Sequence, residues 1–368
     1  MMNDKEKVLD VVTMGDLMLD FTEAGVSEDG KLLFERNPGG APANVAAQVA
    51  ALGGLSAFMG SVGRDEQGQY LLDSVRKIGI CTDGIVQTEE QATRLTFVYL
   101  NKENDRYFSS YKSPRADLLF YPENVRYDLI ENSNIVHFAS SAIMGGPIAE
   151  AAESVIKYAK KKQKLISYDP NWNIIFGFDP EMRKKMLDMI NVTDILKISD
   201  DEYQFFYPEY PMEEGVQKLI SEGRKMVTVT LGEKGCYYAT KNANGRLPSY
   251  SVKVKDTTGA GDSFMGSLLY QISQSRQNIT QMTEDEVQKI IRFSCACGAT
   301  SATKRGSLLF NVPIPLIRTV AAPLGLPFAV ISIPGTRPCK PFKGLFSADF
   351  IISSTETTVT EPVRSDFF

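Results

Sequence analysis

Short apolar runs alternate with helical stretches along most of this chain, and that alternation limits its fold more than any single motif does. Residues 8–14, 57–62, 135–138, 165–168, 195–198, 226–230 and 252–255 read as short strands. Residues 41–52, 67–78, 148–161, 181–189, 213–222, 262–273 and 287–303 read as helices. Such alternation predicts an α/β fold, with a central, mostly parallel sheet and helices on both faces. Residues 93–100 and 105–111 alternate in polarity about a turn at 101–104, as a hairpin does. With the mixed, polar stretch 21–36 they are expected to form a small β lid, from about 21–36 and 92–115, beside the mouth of the sheet.

Composition narrows the chemistry. The chain has 368 residues and a formal net charge of −5 without a basic block, so no nucleic-acid partner is expected. Its single histidine, His137, would have to supply any Ser-His-Asp triad or H-E-x-x-H site. Catalysis is therefore expected from carboxylates, lysines, backbone amides or a bound cofactor, with His137 in a buried strand and no proton-transfer role. Five cysteines without a C-x-x-C pair indicate neither a disulfide framework nor a zinc ribbon, and a reduced, cytoplasmic setting is expected. Residues 308–333 are apolar but hold Arg318 and several prolines, so no membrane span is expected.

The pattern stops near Leu309. Residues 310–368 hold eight of the eighteen prolines, and no acidic residue occurs between Glu286 and Asp349. No helical or strand period survives there. Residues 1–309 thus read as the folded domain and 310–368 as an atypical, Pro-rich tail, poorly ordered and without catalytic residues. Lost charge spacing and lost period together suggest an alternative exon or out-of-frame translation.

Two segments carry chemistry. Asp256-Thr257-Thr258-Gly259-Ala260-Gly261-Asp262 leaves a strand and opens a helix. Its three small residues leave the backbone unshielded, and the helix start adds free N–H groups and a positive dipole end, which together suit a transferring phosphoryl group. Asp262, in the first turn, is placed to take the proton of an attacking alcohol. In Asn37-Pro38-Gly39-Gly40-Ala41-Pro42-Ala43-Asn44, a glycine pair precedes an asparagine in the first helical turn. There a polyol can approach the backbone while the amide reads its hydroxyls. Neither G-x-G-x-x-G nor a Walker loop is present. Asp16 and Asp20 follow the first strand, at the edge where open α/β sheets bind ligands. Asp169, after the 165–168 strand, reads equally as a ligand-positioning residue or a turn cap.

These segments resemble the two signatures of the ribokinase-like (pfkB-type) carbohydrate kinases, and within them the fructokinase branch. Further stretches match in order: Gly15-Asp16-Leu17-Met18-Leu19-Asp20-Phe21, Gly60-Ser61-Val62-Gly63-Arg64-Asp65, Ala92-Thr93-Arg94, Ser113-Pro114-Arg115-Ala116-Asp117, Tyr168-Asp169-Pro170-Asn171 and Thr230-Leu231-Gly232-Glu233-Lys234-Gly235. The likeness covers residues 8–309 and implies a three-layer ribokinase-like fold. It also implies transfer of the γ-phosphoryl group of ATP to a sugar alcohol, D-fructose first, as a soluble, cytoplasmic enzyme.

Carried over by position, the resemblance makes Asp262 the base and the amides of Gly259, Ala260, Gly261 and Asp262 the anion hole. It gives the sugar to Asp16, Asp20, Gly39, Gly40, Asn44 and Arg94. It gives the nucleotide to Ser199, Thr230, Gly232, Gly235, Gly261 and Cys295, with Glu202 organising Mg²⁺ through water. A monovalent cation, K⁺, is implied near Asp256 and Thr258. A lid of exposed strands also offers an edge on which two subunits can pair as a homodimer.

The chain departs from the pattern at Ser199, where many members have asparagine, at Cys295, where a polar residue often stands, and in the tail. Two rivals stay open. A 2-keto-3-deoxygluconate kinase, or another sugar kinase of the group, would use Arg94, Arg106, Lys112 or Arg115 on a substrate carboxylate. A catalytically silent, fructokinase-like protein would bind partners instead.

Overall fold

Strand β1 (Leu9–Met14) is buried along its whole length, with Val11 packed on one face of its sheet and Val12 and Met14 on the other. This is a computed structural model, and it describes residues 8–100, 106–109, 115–172 and 179–304. After β1 come β2 (Met18–Val26), β3 (Leu32–Gly39), α1 (Ala41–Ala51), β4 (Ser56–Gly63), α2 (Glu66–Ile78), β5 (Cys81–Thr88), β6 (Leu95–Leu100) and β7 (Arg106–Ser109). The chain continues with α3 (Tyr127–Glu131), β8 (Ser133–Ala139), α4 (Pro147–Lys161), β9 (Leu165–Asp169), α5 (Pro180–Val192), β10 (Ile195–Ser199), α6 (Asp200–Phe206) and α7 (Met212–Ser221). It closes with β11 (Met226–Thr230), β12 (Cys236–Thr240), β13 (Asn244–Leu247), α8 (Ala260–Ser275) and α9 (Glu284–Ser301).

Among the described residues nine strands form the main sheet, in the order β13-β12-β11-β10-β9-β8-β1-β4-β5. All neighbours run parallel except β11/β12 and β12/β13. The chain moves outward from β1 through β4 to β5, then returns to β8 on the other side of β1. The order therefore reverses at β1/β8, and a ligand crevice opens at the carboxyl ends there. Helices α1, α2, α8 and α9 cover one face, and α4, α5 and α7 the other, which completes the three layers. Among the described residues no helix is long and apolar enough to cross a membrane.

The stretches expected to stand apart form a second sheet, β3-β2-β6-β7. Its strands begin earlier than expected, since β2 starts at Met18 and β3 runs to Gly39, so Asp20 and Gly39 lie within it. Phe21, Phe34, Phe97 and Tyr99 pack ring to ring, with Phe21 stacked on Phe97 at 5.3 Å and Phe34 edge-on to Tyr99 at 5.5 Å. Leu32 and Leu33 on the outer strand β3 are 44% and 46% exposed.

One expected strand does not form. Residues 252–255 are irregular, with Val254 58% exposed, because their alternation has no core to face. Instead the N–H groups of Lys255 and Asp256 donate to the Ala302 carbonyl, which moors the approach to α8. β13 holds the sheet edge in their place. The tail from residue 310 lies outside the described residues.

Candidate active site

Asp262 sits in the first turn of α8, 5% exposed, behind Gly259, whose φ of +77° sets the left-handed turn into the helix. No side chain caps this helix start. The Ala260 N–H turns back to the Thr257 carbonyl at 3.1 Å. Of the N–H groups expected to form the anion hole from Gly259 to Asp262, that of Ala260 is thereby engaged, while those of Gly261 and Asp262, in the first turn, have no intrahelical acceptor. The Asp262 carboxylate is gripped on both sides: Oδ2 accepts Asn44 Nδ2 at 2.8 Å and Oδ1 accepts Asn171 Nδ2 at 2.9 Å. Burial pushes its carboxyl up to about 6, against the two amide hydrogen bonds and the charge of Lys197, which favour the ionised form. A carboxylate tuned to that range is ionised at neutral pH and still basic enough to take a proton.

The candidate sugar residues meet beside it. Asp16 (7% exposed) follows β1, Asp20 (8%) lies on β2, and Asn44 (4%) is in the first turn of α1. The glycine pair between them is dictated by space. A Cβ on Gly40 (φ +116°) would lie 2.2 Å from the Asp16 carbonyl oxygen, and one on Gly39 would lie 2.5 Å from Asp20 Oδ2. Arg94, just before β6, reaches Asp16 Oδ2 and Asp117 Oδ2, each at 3.4 Å. Arg115 grips the same buried Asp117 through Nε at 2.9 Å and Nη2 at 2.8 Å.

The candidate nucleotide residues stand further along the same edge. Ser199 and Thr230 end β10 and β11 as register partners, and Gly232 and Gly235 bound the turn into β12. Cys295 is different: it is 5% exposed within the apolar cluster of α8 and α9, and burial pushes its thiol up to about 12. Its thiol packs among apolar side chains.

Glu202 is expected to act on Mg²⁺ through water, and its carboxylate is oriented by backbone. Its Oε2 accepts the Ser199 N–H at 2.7 Å and its Oε1 the Trp172 N–H at 2.6 Å, so both carboxylate oxygens are engaged by backbone. Ser199 Oγ accepts the Glu202 N–H in return, which makes a capping box for α6. As folded, Glu202 does not fit a direct metal ligand. Among the described residues no group of three or more His, Cys, Asp or Glu is arranged to hold a metal ion. Asp256 Oδ1 accepts the Thr258 N–H at 3.0 Å, an Asx turn at the foot of the loop.

Three residues quoted only within longer stretches, or not weighed at all, prove central here: Asn171, Lys197 and Asp117. Lys197 is 5% exposed, with Nζ on Asp169 Oδ2 at 2.9 Å. A lone lysine inside the apolar run 195–198 is the signal that could have exposed this pair, since a buried ammonium demands an acid.

A model of the "pfkB family carbohydrate kinase" matches residues 9–314. The chain belongs to that family. Fructokinase-2 of Solanum habrochaites is 38% identical to this kinase over 302 residues, covering 81% of the chain and 92% of the relative. Fructokinase-2 of Oryza sativa subsp. japonica is 38% identical over 315 residues, with 84% and 91% covered. Among solved structures, the Xylella fastidiosa fructokinase with bound ATP superposes with a TM-score of 0.77 at 27% identity, over 85% of this chain and 98% of that one. A Vibrio cholerae O395 fructokinase in a fructose, ADP and calcium ion bound form gives 0.74 at 27% identity, over 86% and 99%. The three-layer fold and sugar-kinase class expected from the sequence are thus borne out.

Proposed function

We propose that this kinase transfers the γ-phosphoryl group of ATP to the primary hydroxyl of D-fructose, giving D-fructose 6-phosphate and ADP. The observation that carries the reading is the buried, doubly amide-bonded Asp262 at the uncapped start of α8, with Asn44 bonded to it and the charge of Asp16 acting on it. Fructokinase relatives at 38% identity favour fructose among sugars.

In this reading Asp16, Asp20, Asn44 and Arg94 hold the sugar hydroxyls, and the backbone at Gly39-Gly40 lets the ring come close. Asp262 takes the hydroxyl proton as that oxygen attacks the γ-phosphorus, and the P–O bond to ADP breaks with its electrons leaving on ADP. The N–H groups of Gly261 and Asp262 and the positive end of α8 meet the charge on the transferring group. The second sheet acts as a lid that keeps water from the phosphoryl group. The nucleotide lies along Ser199, Thr230, Gly232 and Gly235. Magnesium bound with the nucleotide would supply charge neutralisation on phosphate oxygens, with Glu202 acting on it through water. K⁺ beside Asp256 and Thr258, a homodimer through strand β3, and a tail without catalytic residues complete the proposal.

Of the cations open to a keto-acid substrate, Arg94 and Arg115 are matched by Asp16 and Asp117, and the side chains of Arg106 and Lys112 lie outside the described residues. ADP release measured over a panel of ketoses, aldoses and 2-keto-3-deoxy acids tests the reading. Fructose is expected to give the highest kcat/KM; a higher value for an acid or an aldose, or no turnover at all, overturns it.

A further inference from the structure

The segment after β9 is pinned at both ends. At its start Asp169, 2% exposed, ends the strand; its Oδ2 accepts Lys197 Nζ at 2.9 Å and its Oδ1 the Asn171 N–H at 3.2 Å. At its far end the Trp172 N–H donates to Glu202 Oε1 at 2.6 Å. Both anchors, Lys197 and Glu202, belong to the β10–α6 junction. Between them Asn171 is held at φ +47°, a left-handed conformation that asparagine tolerates better than most residues. That conformation accompanies the 2.9 Å bond from Asn171 Nδ2 to Asp262 Oδ1.

The charges explain why such a bracket is needed. Asp16 after β1, Asp169 on β9 and Lys197 on β10 are the charged groups that act on Asp262, while Asn44 and Asn171 touch it as neutral donors. One buried ammonium thus serves several carboxylates, Glu202 included. Burial works against its charge, but those acids hold Lys197 protonated above the usual lysine range. The ammonium is bonded to Asp169, so Asp262 depends on amides for its own hydrogen bonds.

We propose that Asn171 is a positioning residue for the base, and that the Lys197–Asp169 pair and the Glu202–Trp172 bond form the bracket that holds its amide on Asp262. The proposal rests on the reading of Asp262 as general base. It gives Glu202 a role in aligning the base through the backbone.

The test is steady-state kinetics of the full chain with fructose and ATP across about pH 5 to 9. Wild type, Asp262→Asn, Asn171→Gly and Asn171→Asp are compared. Glycine keeps the left-handed backbone and removes only the amide. For Asn171→Gly we expect kcat to fall about tenfold with both KM values within about twofold. The acid limb of the kcat profile should move to higher pH by roughly half a unit or more, because a bond that favours the ionised carboxyl is gone. Asn171→Asp, which sets a second carboxylate against the first, should move the limb further up.

A limb that stays in place in Asn171→Gly, with or without a lower kcat, overturns the positioning role, provided Asp262→Asn is inactive. If Asp262→Asn keeps near-wild-type turnover, the general-base reading itself fails. Lys197→Met removes the anchor and leaves Asp169 buried without its cation, so circular dichroism comes first. If it folds, its limb should also rise, and an unmoved limb removes Lys197 from the bracket.

Discussion

Asn44, on α1, donates its amide to Asp262 Oδ2 at 2.8 Å across 218 residues of sequence, joining the two glycine-bearing segments at one carboxylate. Neither segment makes a site by itself. In the proposed reaction the first supplies sugar-facing groups and the second a base and free amides, and the α1–α8 packing on one face of the sheet brings them together.

The base can be tested alone. Asp262→Asn keeps the size and the helix start but removes proton acceptance. Loss of a general base typically costs about 10²–10⁴-fold, so kcat is expected to fall by that factor while fructose affinity, read by calorimetry, changes little. Turnover near wild type would return Asp262 to an ordinary first-turn acid.

Asp16 and Asn44 should part company in their pH profiles. Asp16→Ala is expected to weaken fructose binding by about 10- to 150-fold, the range for a hydrogen bond involving a charged group, and Asn44→Ala by about 2- to 12-fold, the range for a neutral one, with ATP binding nearly intact. Asp16→Ala also removes a negative neighbour that raises the Asp262 carboxyl, so the acid limb should move to lower pH. Asn44→Ala removes a bond that lowers it, so that limb should move up. Limbs shifting together would show that the two residues do not act on Asp262 as described.

Much of this arrangement was legible in the chain, and the failures share a cause. Apolar runs such as residues 226–230 announce themselves, whereas 252–255 alternates like a strand and fails because no core lies beneath it. The heptad ending at Asp262 was readable because a local run of small residues makes the helix start. Asn171 and Lys197 were not, because their meaning lies in partners 91 and 28 residues away. Glu202 carries a second, local meaning beside the expected contact to Mg²⁺ through water. Ser199-x-x-Glu202 is a local capping box, and the sequence shows that box as plainly as it shows a candidate metal residue.

His137 predicts a stability profile and no catalytic one. It is fully buried, with Nδ1 on Ser167 Oγ at 3.0 Å, and burial, with Lys197 nearby, lowers its pKa from 6.5 to about 3. Between those values the unfolded chain binds a proton that the folded chain refuses, so stability is complete above about 6.5 and declines as pH falls toward 3. The slope approaches about 1.4 kcal/mol per pH unit. Asp262, raised from 3.8 to about 6, works in the opposite sense over its own range, so a His137→Gln variant is the needed reference. Urea unfolding from about pH 7 to 5 should show a smaller loss in His137→Gln than in wild type. Equal slopes would mean that the imidazole titrates normally in the fold.

Gly40 is the most exacting position in the sugar segment. Alanine there meets two penalties at once: φ of +116°, outside what a side chain adopts comfortably, and a Cβ 2.2 Å from the Asp16 carbonyl oxygen. That oxygen is backbone and cannot rotate away, so relief requires the β1–β2 turn to move, and Asp16 moves with it. Gly40→Ala is therefore expected to raise KM for fructose by at least about tenfold and to lower the unfolding midpoint, with KM for ATP little changed. Gly79→Ala is the control for glycine loss alone, since its φ is +98° and nothing lies within 4 Å of its Cβ; it should cost stability without touching KM. If Gly40→Ala binds fructose like wild type, the turn carrying Asp16 yields freely, and the close approach of these two backbones does not set the sugar site.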